Sequence, residues 1–344
     1  MSPVRTRIYC YTLPLTQPLR LKNTILTVRS GWLLRFTDGK GNDGWGEAAP
    51  LPGFSGESLD EALAALKVRA ASPAAPPSVR FAAHAAAAML SRRQTGAVVP
   101  ASPPVLLCKL VTETGEKAIA AAEEAKTAGW RTVKFKVGRG NPPEEADTIN
   151  AARSALGPEA VVRLDANRAW GMDGALAFAS RLREVGTASA RVEFIEEPLQ
   201  DSTQLPEFAR RSGVCYAVDE TVQEHALRPG DTRLNDALAG ADCWVVKPTL
   251  CGPLGGLLSG PHRPKRVVLS AAYESGAGLA AVAAQAWDYP PALANAMGLD
   301  TYSALATDVA RGRLPLDAPF CSPHDLAEAG RRVDVSRLEL VHDA

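Results

Sequence analysis

From about residue 105 onward the chain repeats one kind of unit. Short apolar segments end in residues suited to chemistry, and the steps from Lys136 to Asp165, Glu196, Asp219, Lys247 and Ser270 are 29, 31, 23, 28 and 23 residues by subtraction. A step of that length holds a strand, a loop, a helix and a second loop. Each crossover returns the chain to start the next strand in the same direction, so the sheet it builds is parallel. With seven or eight such units the natural closure is a (β/α)8 barrel. An open doubly wound sheet is the competing architecture. It fits less well because no Gly-x-Gly-x-x-Gly follows an early strand and polar residues end nearly every strand rather than gathering at one switch point.

The apolar pattern places strands at 105–111, 132–137, 160–167, 192–198, 215–220, 243–248 and 264–270, with helices near 116–128, 143–156, 173–185 and 203–212. An eighth strand near 294–300 has no clear alternation, and 251–258 reads poorly as a barrel helix. Before this series lie strands at 4–12 and 25–36, a turn-rich stretch into Trp45-Gly46-Glu47, a Pro- and Gly-rich loop from Pro50 to Ser58, and Ala-rich helices near 58–71 and 78–91. That part is expected to be an α+β unit with an antiparallel sheet. Its boundary with the barrel is expected at Pro100 to Pro104, which divides the chain into 1–103 and a barrel unit from 104 to 314.

Charge narrows the partners. Lys plus Arg and Asp plus Glu both number 38, so no net basic charge recommends nucleic acid or an acidic membrane surface, and a small molecule is the expected ligand. The six cysteines form no Cys-x-x-Cys and are expected as reduced thiols. The first residues lead into an alternating segment rather than a leader-like apolar run, and no stretch reaches the ~20 apolar residues of a membrane span, so a cytoplasmic enzyme is expected.

In a barrel the C-terminal strand ends face one mouth. Asp165, Glu196 and Asp219 therefore converge, and three carboxylates in a small space repel one another unless a cation neutralises them. A hard, all-oxygen donor set favours Mg²⁺, with Mn²⁺ as an alternative. In the strand around Thr132-Val133-Lys134-Phe135-Lys136, alternation puts Lys134 and Lys136 on one face. Lys247 comes from a strand four further on, across the mouth. A cation with facing ammonium groups stabilises an enediolate, the species formed when a proton is taken from the carbon next to a carboxylate. A lysine that takes the proton must be neutral, and a like-charged neighbour such as Lys134 favours that.

The Lys-x-Lys strand, the three acids and the opposing Lys247 resemble the muconate-lactonising subgroup of the enolase superfamily. The stretches Gly46 to Ser55, Arg163 to Trp170, Val246 to Leu250 and Ser270 to Gly276 are similar to the o-succinylbenzoate synthase family within it. The resemblance implies a modified barrel with an N-terminal α+β capping domain to which residues 315–344 return. It implies a hydro-lyase of menaquinone biosynthesis, which dehydrates 2-succinyl-6-hydroxy-2,4-cyclohexadiene-1-carboxylate to 2-succinylbenzoate. Lys136 would remove the proton, Lys134 would orient the carboxylate and Lys247 would stabilise the enediolate, while Asp165, Glu196 and Asp219 would hold Mg²⁺. Asn167 and Glu220 are expected behind these groups, Glu220 towards Lys247. Phe54, Ser55, Ser270, Ser275 and Gly276 are expected to touch substrate. Glu197 points to the other face of its strand. N-succinylamino acid racemases and dipeptide epimerases share the paired lysines, so racemisation stays open, and a non-catalytic metal-binding barrel is the reading from another class. The resemblance covers both monomers and larger assemblies.

Overall fold

The computed structural model describes residues 4–21, 24–70, 72–99, 103–183 and 189–344. Residues 100–102 of the boundary expected at Pro100 to Pro104, and the end of the helix expected at 173–185, lie outside these residues. A four-stranded antiparallel sheet is formed by Arg5–Leu21, Thr24–Thr37, Asp43–Ala48 and the last strand, Glu339–Asp343, which pairs with Arg5–Leu21. The helix Pro77–Thr95 packs closely on this sheet. Gly44 and Gly46 make that approach possible, since a Cβ at either would overlap the helix backbone at Ala86 or Ala82.

The first two strands are longer than their alternation suggests. Past residue 12 the hairpin continues as an arm over the second sheet, where Leu15 bridges Leu305 and the Ala306 N–H donates to Pro14. Its tip thereby reaches the mouth of the barrel.

The second sheet is parallel and curled, with Lys109–Val111, Thr132–Lys136, Val161–Asp165, Arg191–Glu196, Tyr216–Val218, Cys243–Val246 and Val267–Leu269 as consecutive neighbours. Its ring is completed by very little. Met297 bridges Leu107 and Gly298 bridges Ser270, with backbone hydrogen bonds on both sides, from Met297 N–H to Leu106 (2.8 Å) and from Gly298 N–H to Leu269 (2.9 Å). The eighth strand is reduced to this pair of residues. The strand expected over 105–111 is also split, because Val105–Leu106 pairs outside the barrel with Phe320–Cys321 while Lys109–Val111 joins the barrel sheet. After Lys247, two short helices, Pro248–Cys251 and Leu254–Leu258, replace one regular crossover helix. Among the described residues no helix is long and apolar enough to cross a membrane.

Below the mouth the barrel interior is held by a buried ion pair, Arg163 to Glu193 at 2.6 Å, extended to Arg266 and Asp242. Arg163 also donates to the Ala296 carbonyl (2.6 Å), which anchors the short closing segment.

Candidate active site

The strand Thr132–Lys136 buries Val133 and Phe135 and leaves Lys134 and Lys136 half-buried on the opposite face, as a period of two requires. In register, Lys136 lies beside Asp165, and Asp165 beside Glu196. The three acids are almost wholly buried, with exposures of 1% for Asp165, 1% for Glu196 and 2% for Asp219. Above them opens a cavity of about 730 Å³ lined by Lys134, Lys136, Lys247, Asn167, Glu220 and Ser270 from the barrel and by Leu51, Phe54 and the arm residues Pro18 to Leu21 from the cap.

Ammonium groups supply the cationic charge between the acids. Lys134 Nζ contacts Asp165 at 2.6 Å and Glu196 at 2.8 Å, Lys136 Nζ contacts Asp165 at 2.6 Å, and Lys247 pairs with Asp219. Burial alone would lower the Lys134 pKa, but Asp165, Glu196 and Asp219 together hold it well above the ordinary lysine value. The same balance, with Asp219 and Glu220 as the main opposing charges, raises Lys247. Burial also opposes ionisation of Asp165, yet Lys134 and Lys136 outweigh it and hold that acid far below the usual carboxylate range. For Glu196 the outcome is reversed: burial, then repulsion from Asp165, pushes it up to about 8.

These are the marks of a site short of positive charge. Among the described residues no three His, Cys, Asp or Glu side chains form a ready-made ligating cluster, because the acids are turned to the lysines. The donor set nevertheless fits a hard divalent cation. It comprises three buried carboxylates with oxygen donors only, one of them, Glu196, pushed towards neutrality by burial and then by its neighbour Asp165.

Around this centre the remaining expected residues divide. Asn167 takes the Lys136 ammonium on its side-chain oxygen (2.7 Å) and donates from its amide to Glu220 (3.1 Å). Glu220 is thus joined to Asn167, and its charge is one of those that act on Lys247. Its other oxygen is buried without a partner, and burial followed by repulsion from Asp219 pushes its carboxyl up to about 7. Phe54 and Ser270 line the cavity.

Three expected contacts are directed elsewhere. The Ser55 hydroxyl accepts the Leu51 N–H (2.9 Å) and so shapes its own loop. Ser275 is fully buried and caps the helix Gly276–Asp288 while its hydroxyl and its N–H bond Glu47 of the cap. The Gly276 N–H donates to Asp308 (2.9 Å). The donors of this helix terminus are taken by Glu47 of the cap sheet and by Asp308, and Ser275 and Gly276 do not line the cavity.

Two groups important to the mouth escaped sequence reasoning. Arg29, 2% exposed, donates to carbonyls of Ala49 and Pro50 in the cap loop and to Tyr273 (3.1 Å) in the barrel loop. Gln223, on the helix Glu220–Leu227 that follows the third acid, donates to the Phe54 carbonyl. Neither carries a local signal, because each acts on backbone carbonyls distant in sequence.

Residues 4–90 match the family described as MenC, N-terminal domain, and residues 117–229 match Enolase C-terminal domain-like. The chain is 32% identical over 335 residues to an o-succinylbenzoate synthase of Citrobacter koseri, covering 94% of this chain and 98% of the relative. It is 33% identical over 315 residues to an o-succinylbenzoate synthase of Pectobacterium atrosepticum, covering 88% and 91%. Among solved structures, o-succinylbenzoate synthase from Thermosynechococcus elongatus BP-1, complexed with Mg in its active site, superposes with a TM-score of 0.71 at 26% identity over 88% of this chain and 95% of that one.

Proposed function

The chain belongs to the o-succinylbenzoate synthase family, and from that premise we infer that its barrel mouth performs the Mg²⁺-dependent dehydration of 2-succinyl-6-hydroxy-2,4-cyclohexadiene-1-carboxylate to 2-succinylbenzoate, a lyase step of menaquinone biosynthesis. The observation that carries the reading is the meeting of Lys136 and Lys247, from strands four apart, in one cavity whose lysines are paired to three buried acids.

Asp165, Glu196 and Asp219 would hold the cation. When bound, it supplies electrophilic stabilisation of the negative charge that develops on the substrate carboxylate. Lys134 Nζ, which lines the cavity beside Asp165 and Glu196, orients that carboxylate. Lys136, acting as the neutral amine held by Asn167, accepts the proton on Nζ from the adjacent ring carbon, and the electron pair moves towards the carboxylate. The Lys247 ammonium faces this charge from across the mouth. The C–O bond to the ring hydroxyl then breaks, the proton on Lys136 leaves with the hydroxide as water, and the ring becomes aromatic. Phe54, held by Gln223 from the barrel side, covers the substrate and excludes water. The six free cysteines accord with a reducing, cytoplasmic setting.

Protein stripped with a chelator and then supplied with Mg²⁺ tests this. Ultraviolet absorbance of the aromatic product is expected to rise only after Mg²⁺ is returned, and absence of product at every Mg²⁺ concentration refutes the assignment. The placement of one lysine on each side of the same cavity also favours a second reading, racemisation of N-succinylamino acids, which needs a base on each face. Exchange of the α-proton for deuterium in D₂O reads that activity directly.

A further inference from the structure

Among the described residues, four other than glycine adopt left-handed backbone, each after a barrel strand: Tyr273 (φ 63°) and, grouped on two neighbouring strands, Asn167 (φ 44°), Arg168 (φ 60°) and Glu197 (φ 43°). Such conformations persist when surrounding contacts over-determine them, and they gather at functional sites. The contacts here converge on one side chain. Glu197 is fully buried; one carboxylate oxygen accepts the backbone N–H groups of Asp219 (3.0 Å) and Thr221 (2.7 Å), and the other accepts the Thr221 hydroxyl (3.1 Å) and Arg168 Nε (3.0 Å). The Arg168 N–H in turn donates to the Glu197 carbonyl (2.7 Å), and its guanidinium reaches Glu224 (2.5 Å).

A single ion pair therefore joins the ends of three consecutive strands. Arg168 follows the strand that ends in Asp165, Glu197 follows the one that ends in Glu196, and the N–H groups it holds belong to Asp219 and Thr221, just past the third. Each of those strands contributes one of the three acids. Glu197 has no atom in the cavity lining, so it works from behind the site.

We propose that the Glu197–Arg168 pair is the positioning device that fixes the mutual spacing of Asp165, Glu196 and Asp219 and so sets the affinity of the mouth for its divalent cation. This rests on the metal reading above. A purely structural role is separable from it because two of the same three strands carry a second buried ion pair, Arg163 with Glu193, which touches none of the three acids. That pair serves as the internal control.

The experiment is calorimetric titration of the whole chain with Mg²⁺ alone, with a thermal melt of each protein, for wild type, Glu197→Gln, Arg168→Met and Glu193→Gln. Loss of a group that orients metal ligands weakens metal binding by about 10–100-fold. That loss is expected for Glu197→Gln and Arg168→Met. Glu193→Gln is expected to melt lower yet bind Mg²⁺ within about twofold of wild type if orientation of the acids is what matters. Wild-type affinity in Glu197→Gln, or in Arg168→Met should Glu197→Gln not fold, overturns the proposal, as does equal weakening in Glu193→Gln. A wild-type protein that binds no Mg²⁺ overturns the metal reading itself, which keeps the two failures distinct.

Discussion

Glu47 gives the cap–barrel junction a pH dependence that can be worked out in advance. It is fully buried, accepts the Tyr11 hydroxyl (2.7 Å) and the Ser275 N–H (3.1 Å), and bonds the Ser275 hydroxyl at the start of the helix Gly276–Asp288. Burial dominates; the bonds from Ser275 and Tyr11 only partly offset it, and Glu274 adds repulsion, so the carboxyl is pushed up from 4.5 to about 7. Between those pH values the unfolded chain has released this proton while the folded chain retains it. The unfolded state binds fewer protons, so stability falls as pH rises through the window and is level on either side. At about 1.4 kcal/mol per pH unit, the gap amounts to about 3 kcal/mol. Glu47→Gln removes the titration. Urea denaturation of both proteins from pH 4 to pH 8 is the assay, and groups common to both cancel in the difference. The variant is expected to gain about 3 kcal/mol relative to wild type between the two ends of that range. A difference that stays constant with pH, or moves the other way, refutes the reasoning.

Asp219→Asn is expected to abolish turnover and Mg²⁺ binding, read by product absorbance and calorimetry, because it removes the charge of the acid paired to Lys247. Gln223→Leu removes the donor to the Phe54 carbonyl, and a hydrogen bond of about 1 kcal/mol corresponds to about a fivefold rise in KM, with kcat kept. Gly46→Ala forces a Cβ into the Ala82 carbonyl and is expected to cost roughly 3 kcal/mol in urea denaturation.

What the sequence made legible follows from which signals are local. Lys134 and Lys136 share a face because alternation along a strand is fixed by the backbone, and Asp165, Glu196 and Asp219 were found by the regular spacing of the units that bear them. The closing strand was not legible, since among the described residues only Met297 and Gly298 pair there and two residues cannot display a period. Ser275 and Gly276 were misjudged for another reason. A helix terminus offers donors, but Glu47 and Asp308, 228 and 32 residues away, already take them. Arg29 acts through carbonyls that leave no pattern in the side chains around it. Glu197 was visible as a residue of the opposite face, yet its grip on the Asp219 N–H depends on a left-handed turn that a regular strand does not predict.

The most direct test of the account compares wild type with Lys136→Ala in formation of 2-succinylbenzoate from the cyclohexadiene substrate at saturating Mg²⁺. Loss of a general base lowers the rate by about 10²–10⁴-fold, and at least that loss is predicted for Lys136→Ala against a wild type that turns over. Turnover undiminished in Lys136→Ala, or a wild type that forms no 2-succinylbenzoate, contradicts it.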